Sequence, residues 1–146
     1  MTNAAAFAIV ADYVEALARR DNTQMDKLRA PDFVLDFVYA DAFAVQPLSG
    51  EATRNFWPAW FVGFPEMDFI VSRAIAAAEV VVVQWTFIGT QAGPLKPPVF
   101  EETRPATGRT VRFRGVSIYD VADGLIQRET AYIDLATLFV ELGVKL

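Results

Sequence analysis

Residues 110–134, TVRFRGVSIYDVADGLIQRETAYID, contain two segments rich in β-branched and aromatic residues. The ADG at 122–124 lies between the two segments and is typical of a tight hairpin turn. The pattern therefore predicts two antiparallel strands, over 110–121 and over 125–133. Asp134 follows directly and is placed to cap a short C-terminal helix, LATLFVEL.

Two more long strands are predicted before this hairpin. They are DFIVSRAIA at 68–76 and VVVVQWTFIGTQ at 80–91. Between Gln91 and Thr110 lies a loop with four prolines. A connection of this length is typical of a functional or mobile segment rather than of a simple turn.

The N-terminal region predicts two helices. Apolar residues at helical spacing predict a first helix over residues 3–20. TQMD at 23–26 matches the capping-box pattern and predicts a short helix over Gln24–Arg29. Pro31 is expected to end that helix.

A strand and a third helix complete the predicted order. FVLDFVY at 33–39 alternates as a strand does, with Asp36 on the face opposite its aromatic residues. SGEATRNFWPAWFVGF at 49–64 has a helical composition, and Pro58 is expected to kink or restart that helix. Helices first and a run of strands afterwards predict an α+β fold, with helices on one face of a curved antiparallel sheet. No domain boundary is visible, so residues 1–146 are expected to form one domain.

Composition excludes several classes of function. A net charge of −5 gives no electrostatic basis for binding nucleic acid. The chain has no Cys and no His, which excludes thiolate nucleophiles and removes the commonest general base and metal ligand. Any acid–base chemistry must therefore use Asp, Glu, Tyr, Lys or Arg.

The N-terminus and the motif content narrow the class further. No basic n-region precedes the apolar run at the N-terminus, and Asp12 interrupts that run, which argues against a signal peptide or a membrane span. We therefore expect a cytoplasmic protein. No carboxylate pair has ligand spacing on a pocket face, and no Gly-rich strand-to-helix turn is present, so neither a metal nor a cofactor is expected.

The order of elements, together with three short motifs, resembles the SnoaL-like polyketide cyclases of the NTF2-like superfamily. The motifs are Gly-Thr-x-x-Gly at 89–93, Thr-Gly-Arg at 107–109 and Asp-Gly-x-Ile at 123–126. The resemblance covers most of residues 5–143. It implies a cone in which the sheet curls around a deep apolar pocket that the helices close, and a homodimer formed through the outer sheet face. The superfamily includes cyclases, ketosteroid isomerase, epoxide hydrolases and partners of hydroxylation reactions, so the fold alone does not fix the function.

Strand parity, combined with the resemblance, selects the side chains expected to face the pocket. On the long strand they are Val81, Val83, Trp85, Phe87 and, beyond Gly89, Gln91. On the final strand they are Leu125, Gln127, Glu129, Ala131 and Ile133. The opposite set of the final strand is expected to face outward or into a dimer partner: Ile126, Arg128, Thr130 and Tyr132.

The catalytic residues of two related enzymes are largely replaced. The resemblance to ketosteroid isomerase keeps the tyrosine of the first helix as Tyr13, but it places Phe37 where the base would be and Ser117 where the protonated aspartate would be. Limonene epoxide hydrolase activates water with an Asp–Arg–Asp group. The arginine and one aspartate of that group fall on Trp85 and Phe87 of the long strand here, and the second aspartate falls on Ala131. Neither chemistry is expected by those routes.

The resemblance to the polyketide cyclases leaves Glu129 as the candidate acid or base. The acid–base aspartate of the cyclases falls on Ala131, and the histidine of their usual Gly-Thr-His falls on Gln91. Glu129 lies two positions from Ala131 on the same face of the strand. An apolar pocket would raise the pKa of its carboxyl, whereas the alternative is an ion pair with Arg112 or Arg114 on the neighbouring strand.

The remaining candidates each have a structural alternative. Tyr13 is either a donor to a developing oxyanion or a helix tyrosine with its ring in the core. Gln91 either orients a substrate carbonyl or serves loop backbone groups. The candidate substrate-binding residues are Phe37, Trp57, Trp60, Phe61, Trp85, Phe87, Gln91, Ser117 and Tyr119. The large aromatic residues among them are either ordinary core or the lining for a flat, fused-ring ligand.

These observations favour a cofactor-independent enzyme that acts on an apolar polyketide-like or steroid-like ketone or ester. Glu129 would move the proton, while Tyr13 with Ser117 or Gln91 would bind the enolate oxygen. The alternatives are a protein that binds a hydrophobic ligand or assists an oxygenase without proton chemistry, and a dimerising domain with a filled core.

Overall fold

The computed structural model describes residues 2–38 and 46–144, which form an α+β fold. The helices are α1 (Asn3–Ala18), α2 (Asn22–Leu28), α3 (Gly50–Gly63) and α4 (Leu135–Leu142). The strands are β1 (Arg29–Val38), β2 (Met67–Ala77), β3 (Val80–Thr90), β4 (Thr110–Ala122) and β5 (Leu125–Ile133). The predicted class and the predicted order of elements are confirmed. No helix within the described ranges has the length and apolar character needed to cross a membrane.

The sheet has the strand order β1-β5-β4-β3-β2. The prediction of a wholly antiparallel sheet is wrong in one place, because β1 pairs with β5 in parallel. A parallel pair needs a long crossover, and here the chain runs through α3 and the other three strands before it returns beside β1. An ion pair between Arg128 and Asp36, with N and O 2.6 Å apart, joins the two strands. Tyr39, the last residue of the strand predicted over 33–39, lies outside the described residues.

The hairpin between β4 and β5 forms as predicted, but a bulge changes the direction of one side chain. Asp123 and Gly124 have φ angles of 54° and 76°, which a two-residue hairpin turn requires. The pairing of β4 with β5 shifts register between Asp120 and Val121. As a result Ile126, which was expected to face outward, is fully buried. Tyr132, beyond the shift, faces outward as predicted.

The helix termini show two further corrections. Asp21, not Thr23, caps α2: its carboxylate accepts a hydrogen bond from the Gln24 N–H at 3.1 Å. Helix α3 continues across Pro58 and does not restart there. Core packing of Trp57 and Trp60 on either side of the proline compensates for the lost backbone hydrogen bond.

The cap of α4 is confirmed. The Asp134 carboxylate accepts hydrogen bonds from the N–H and the hydroxyl of Thr137, at 3.1 and 2.6 Å. The Thr137 hydroxyl and N–H hold the pKa of Asp134 below its ordinary value.

The inner face of the sheet supplies most of the core. On β3 the alternate residues Val81, Val83, Trp85 and Phe87 are buried, as strand parity predicts. Helix α1 packs against β2 and β3, and α4 packs against β4. Opposite Trp85, Gly115 leaves the space that the indole ring occupies, since a Cβ at residue 115 would overlap that ring.

Replacing Gly115 with alanine is expected to lower the free energy of unfolding by about 1–3 kcal/mol, because the added methyl group would displace Trp85. Chemical denaturation of the variant and the parent protein measures the difference. Arg114→Ala, at the neighbouring exposed position, is the control and should change the free energy by less than about 0.5 kcal/mol. Equal stability of Gly115→Ala and the parent would contradict close packing of Trp85 on β4.

Candidate active site

A largely apolar cavity of about 160 Å³ lies between the inner face of the sheet and the helices. Six of the predicted site residues line it: Phe37, Trp57, Trp60, Trp85, Phe87 and Glu129. Glu129 is the ionisable residue in this lining. An apolar cavity of nearly this size holds a benzene molecule, so the cavity in its present shape accommodates about one ring. A fused-ring ligand would require some of the aromatic side chains to move.

The far end of the cavity is formed by residues that the sequence did not suggest. Phe100 of the loop after β3 and Phe139 of α4 both line the cavity, and their rings lie 5.8 Å apart. The Arg104 guanidinium lies over both rings, 5.0 Å from Phe100 and 5.8 Å from Phe139. The C-terminal helix therefore contributes to the enclosure together with α1 and α3. The amphipathic pattern of LATLFVEL was the available signal, but it did not reveal which surface the helix would cover.

A chain of hydrogen bonds holds the Glu129 carboxyl. The Trp85 indole N–H donates to the Ser117 oxygen at 2.9 Å, and the Ser117 hydroxyl donates to Glu129 Oε2 at 2.9 Å. All three side chains are buried. Alternate residues of β3, β4 and β5 face the same way, which is why three neighbouring strands bring these groups together. The second oxygen of Glu129, Oε1, has no hydrogen-bond partner among the described residues.

Burial raises the pKa of Glu129 from 4.5 to about 7. The hydroxyls of Ser117 and Tyr119 and the positive charge of Arg29 act in the opposite direction but do not outweigh burial. The proposed ion pair with Arg112 or Arg114 does not form, because both arginines lie on the exposed face of β4. At neutral pH the carboxyl is therefore divided between its acid and carboxylate forms, which suits it to accept or to donate a proton.

Two tyrosines are buried next to Glu129 without lining the cavity. Tyr119 is the cross-strand neighbour of Glu129, and the Tyr13 ring packs edge-on against Tyr119 at 5.8 Å. Neither hydroxyl forms a hydrogen bond of good geometry within the described residues, although the Tyr119 hydroxyl is close enough to Glu129 to lower the pKa of its carboxyl. Burial, and next the nearby charge of Glu129, raise the pKa of both tyrosines well above its ordinary value. Both hydroxyls therefore remain protonated and able to donate.

Gln91 and Phe61 lie away from this cluster. The Gln91 amide nitrogen donates to the carbonyls of Gly93 and Pro105, and its oxygen accepts from the Thr107 hydroxyl at 2.7 Å. These bonds connect the two ends of the proline-rich loop and correspond to the structural alternative for Gln91. Phe61 stacks on Trp57 at 6.0 Å and does not line the cavity.

Arg29 belongs to the site although the sequence did not suggest it. Its side chain is buried at the start of β1, and its charge influences both Tyr13 and Glu129. A basic residue between a short helix and a strand gave no periodic signal. Within residues 2–38 and 46–144, no group of three or more carboxylates is arranged to hold a metal ion.

A family model described as the SnoaL-like domain matches residues 10–129. The chain belongs to the SnoaL-like domain family. The resemblance inferred from its motifs is thereby confirmed. No curated protein sequence matches this SnoaL-like chain significantly.

Solved structures share the fold of the SnoaL-like chain. A candidate SnoaL-like polyketide cyclase from Jannaschia sp. CCS1 is 20% identical, with a TM-score of 0.81 over 98% of this chain and 94% of the other. The candidate hydroxylase AclR from Streptomyces galilaeus is 21% identical, with a TM-score of 0.80 over 97% and 83%. An LEH-like epoxide hydrolase from M. tuberculosis is 18% identical, with a TM-score of 0.67 over 95% and 90%. These similarities confirm the NTF2-like fold.

The raised pKa of Glu129 predicts a specific dependence of stability on pH. Between pH 4.5 and about pH 7 the folded protein keeps a proton that the unfolded chain has released. The stability contributed by this group is therefore complete below pH 4.5 and declines as the pH rises, by about 3 kcal/mol once the pH exceeds 7. Glu129→Gln lacks this decline. Urea denaturation of both proteins at pH 5 and pH 8 measures it, and parallel pH profiles would contradict the raised pKa.

Proposed function

We propose that the protein is a cofactor-independent enzyme that moves a proton on an apolar ketone or ester through an enol or enolate, in a cyclisation, isomerisation or dehydration. The observation that carries the proposal is the buried carboxyl of Glu129 at an apolar cavity, with a pKa of about 7. A carboxyl in this condition is a competent base and a competent acid at neutral pH.

Each group around Glu129 has a defined part in this chemistry. The Glu129 carboxylate removes a proton from the carbon next to the substrate carbonyl, and its acid form returns a proton to the product. Ser117 and Trp85 fix the orientation of the carboxyl by holding Oε2, which leaves Oε1 to face the reacting carbon. The hydroxyls of Tyr13 and Tyr119 do not line the cavity; they remain protonated donors beside Glu129 and would stabilise its carboxylate form rather than contact the substrate.

The cavity defines the class of substrate. Its walls are mainly aromatic and aliphatic side chains, so the ligand is expected to be apolar with few polar groups. The present volume suits a single-ring polyketide-like ketone or ester, and movement of the aromatic residues would admit a larger polyketide-like or steroid-like molecule. A thermal-shift panel of such molecules, graded from one ring to four, tests both the class and the size. A ligand at 100 times its dissociation constant should add about 2.7 kcal/mol to the free energy of unfolding.

Glu129→Gln is expected to keep ligand binding and to lose at least about 100-fold in turnover of any substrate found in the panel, because the amide cannot exchange the proton. In the parent protein kcat/KM should rise with pH up to about 7 if Glu129 acts as the base. Glu66→Gln is the matched control, since Glu66 is exposed and does not line the cavity. Equal turnover in Glu129→Gln and the parent would remove Glu129 from the mechanism.

A second candidate function is the binding of a hydrophobic ligand without catalysis, as an accessory protein to an oxygenase. It is favoured by Ala131 and Gln91, which stand at the positions that correspond to the aspartate and histidine of the related cyclases. The Gln91 amide is also fully engaged with the loop. Under this function the panel gives ligands with equal affinity for the parent and Glu129→Gln, and no product forms from any of them.

We also propose that two copies associate through the outer face of the sheet. Ile75, Val82 and Ile118 are neighbours in register across β2, β3 and β4 on this face, and Val116 lies beside Tyr132. Ile75 is 47% exposed and Tyr132 is 50% exposed, which leaves an apolar surface that a second copy would cover.

Ile118→Lys is expected to convert a dimer of twice 16.2 kDa into a monomer of 16.2 kDa, because the change buries a charge at the centre of the contact. Sedimentation equilibrium measures the mass. Thr23→Lys, on the exposed surface of α2, is the control and should leave the mass unchanged. A parent protein that is monomeric at all concentrations tested would contradict this association.

A further inference from the structure

The Arg29 side chain is buried, and one of its two terminal nitrogens is paired with a carboxylate. Its side chain is 4% exposed, and Nη2 forms an ion pair with the Asp26 carboxylate. The guanidinium also lies over the Phe33 ring, 5.4 Å from its centroid. The other terminal nitrogen, Nη1, is buried without a hydrogen-bond partner among the described residues. A buried arginine nitrogen that serves no protein acceptor requires an explanation beyond packing.

The Asp26 carboxylate neutralises Arg29 incompletely. Its side chain is 45% exposed and is therefore well solvated, whereas the guanidinium is almost completely shielded from water. Water screens the charge of Asp26 much more effectively than the charge of Arg29. A net positive potential consequently extends from Arg29 into the interior of the protein.

The interior groups that receive this potential belong to the candidate active site. β1 lies beside β5 in the sheet, with Arg29 opposite Ile126, three residues before Glu129. The guanidinium lies beside the Tyr13 hydroxyl and near Glu129, and it lowers the pKa of each group against the larger effect of burial. Arg29 Nη1, the Tyr13 hydroxyl and Glu129 Oε1 are all buried without a hydrogen-bond partner among the described residues, and the charge of Arg29 acts on both of the other groups.

The other groups around Glu129 carry no positive charge. Helix α1 contributes Tyr13, β4 contributes Tyr119 and Ser117, and β3 contributes Trp85 through Ser117. Among the described residues that influence the Glu129 carboxyl, Arg29 is the only cation. The ionised form of Glu129 therefore depends on this one residue for charge stabilisation.

We propose that Arg29 is a positioning residue of the site, held by Asp26 so that its guanidinium orients the Tyr13 hydroxyl and stabilises the carboxylate form of Glu129. This role of Arg29 depends on the proposed function only in its consequence for turnover. The orientation of the Tyr13 hydroxyl and the stabilisation of the Glu129 carboxylate occur in the free protein as well. Arginine suits this role because its planar fork can serve Asp26 and Tyr13 together, which the single ammonium of lysine cannot.

Titration of the Glu129 carboxyl by NMR tests the proposal without any substrate. The protein is labelled with ¹³C at the glutamate side-chain carboxyls, and Glu129→Gln identifies the signal. Arg29→Met and Arg29→Gln are compared with the parent protein. Both are expected to raise the pKa of Glu129, because the positive charge that favours its carboxylate form is removed.

One further variant, Arg29→Lys, separates the charge of Arg29 from its packing, and Arg19→Gln is a surface control. Arg29→Gln keeps a group that can bond to Asp26, so the test survives if Arg29→Met does not fold. Arg29→Lys restores the charge without the fork and should return the pKa of Glu129 towards the parent value. Arg19→Gln, at an exposed position paired with Glu15, removes the same charge from the surface and should leave the pKa of Glu129 unchanged.

Folded Arg29→Gln or Arg29→Met with an unchanged pKa of Glu129 would overturn the proposal. An equal rise in Arg29→Lys and Arg29→Gln would also overturn it, because the effect would then come from packing and not from charge. Where a substrate is known, the pH at which kcat/KM levels off should move up with the pKa of Glu129 in Arg29→Gln. Absence of turnover in every variant would reject the proposed function while the NMR result still decides the role of Arg29.

Discussion

A carboxyl group in an apolar interior is costly unless it is hydrogen-bonded or protonated, and much of this structure is arranged around that cost at Glu129. One carboxyl oxygen is satisfied by the Ser117 hydroxyl, which is itself held by Trp85. The remaining cost of burying the charged form raises the pKa of Glu129 to about 7. Burial thus produces a group that changes protonation state under physiological conditions without a histidine, which this chain lacks.

The apolar walls of the cavity affect the electrostatics of Glu129 as well as the stability of the fold. The aromatic residues that pack around Trp60 and Phe87 exclude water, which strengthens every electrostatic interaction within the site. They also meet mainly edge to face or tilted, an arrangement that fills space without a flat slot. Under the proposed function, many small apolar contacts would select the shape of a ligand, and the polar groups at Glu129 would orient it.

Sequence reasoning reached the fold and part of the site because both depend on local periodicity. Alternation along β3 and β5 placed Trp85 and Glu129 on the inner face, and the hairpin turn fixed how β4 and β5 pair. The same reasoning failed for Ile126. A one-residue bulge reverses the face of the sheet to which the following side chains point, and no pattern in the sequence predicts the bulge. It also missed the parallel pairing of β1 with β5, which joins segments far apart in the chain.

Arg29 shows a different limit of prediction. A charged residue at the boundary between a helix and a strand is usually solvated, and only the three-dimensional fold reveals that this side chain points inward. The role inferred for Arg29 depends on buried polar atoms of Arg29, Tyr13 and Glu129 that lack a hydrogen-bond partner. A sequence does not show which buried polar atoms lack a partner.

The Arg104 guanidinium across Phe100 and Phe139 has a kinetic consequence. It links a loop to the C-terminal helix at one wall of the cavity, so a molecule that passes between these rings must separate both elements from the cation together. The contact is cation–π rather than an ion pair between formal charges, so the separation depends only weakly on ionic strength. If a ligand exchanges by this route, local opening of the loop and the helix would limit the rate of exchange, rather than diffusion.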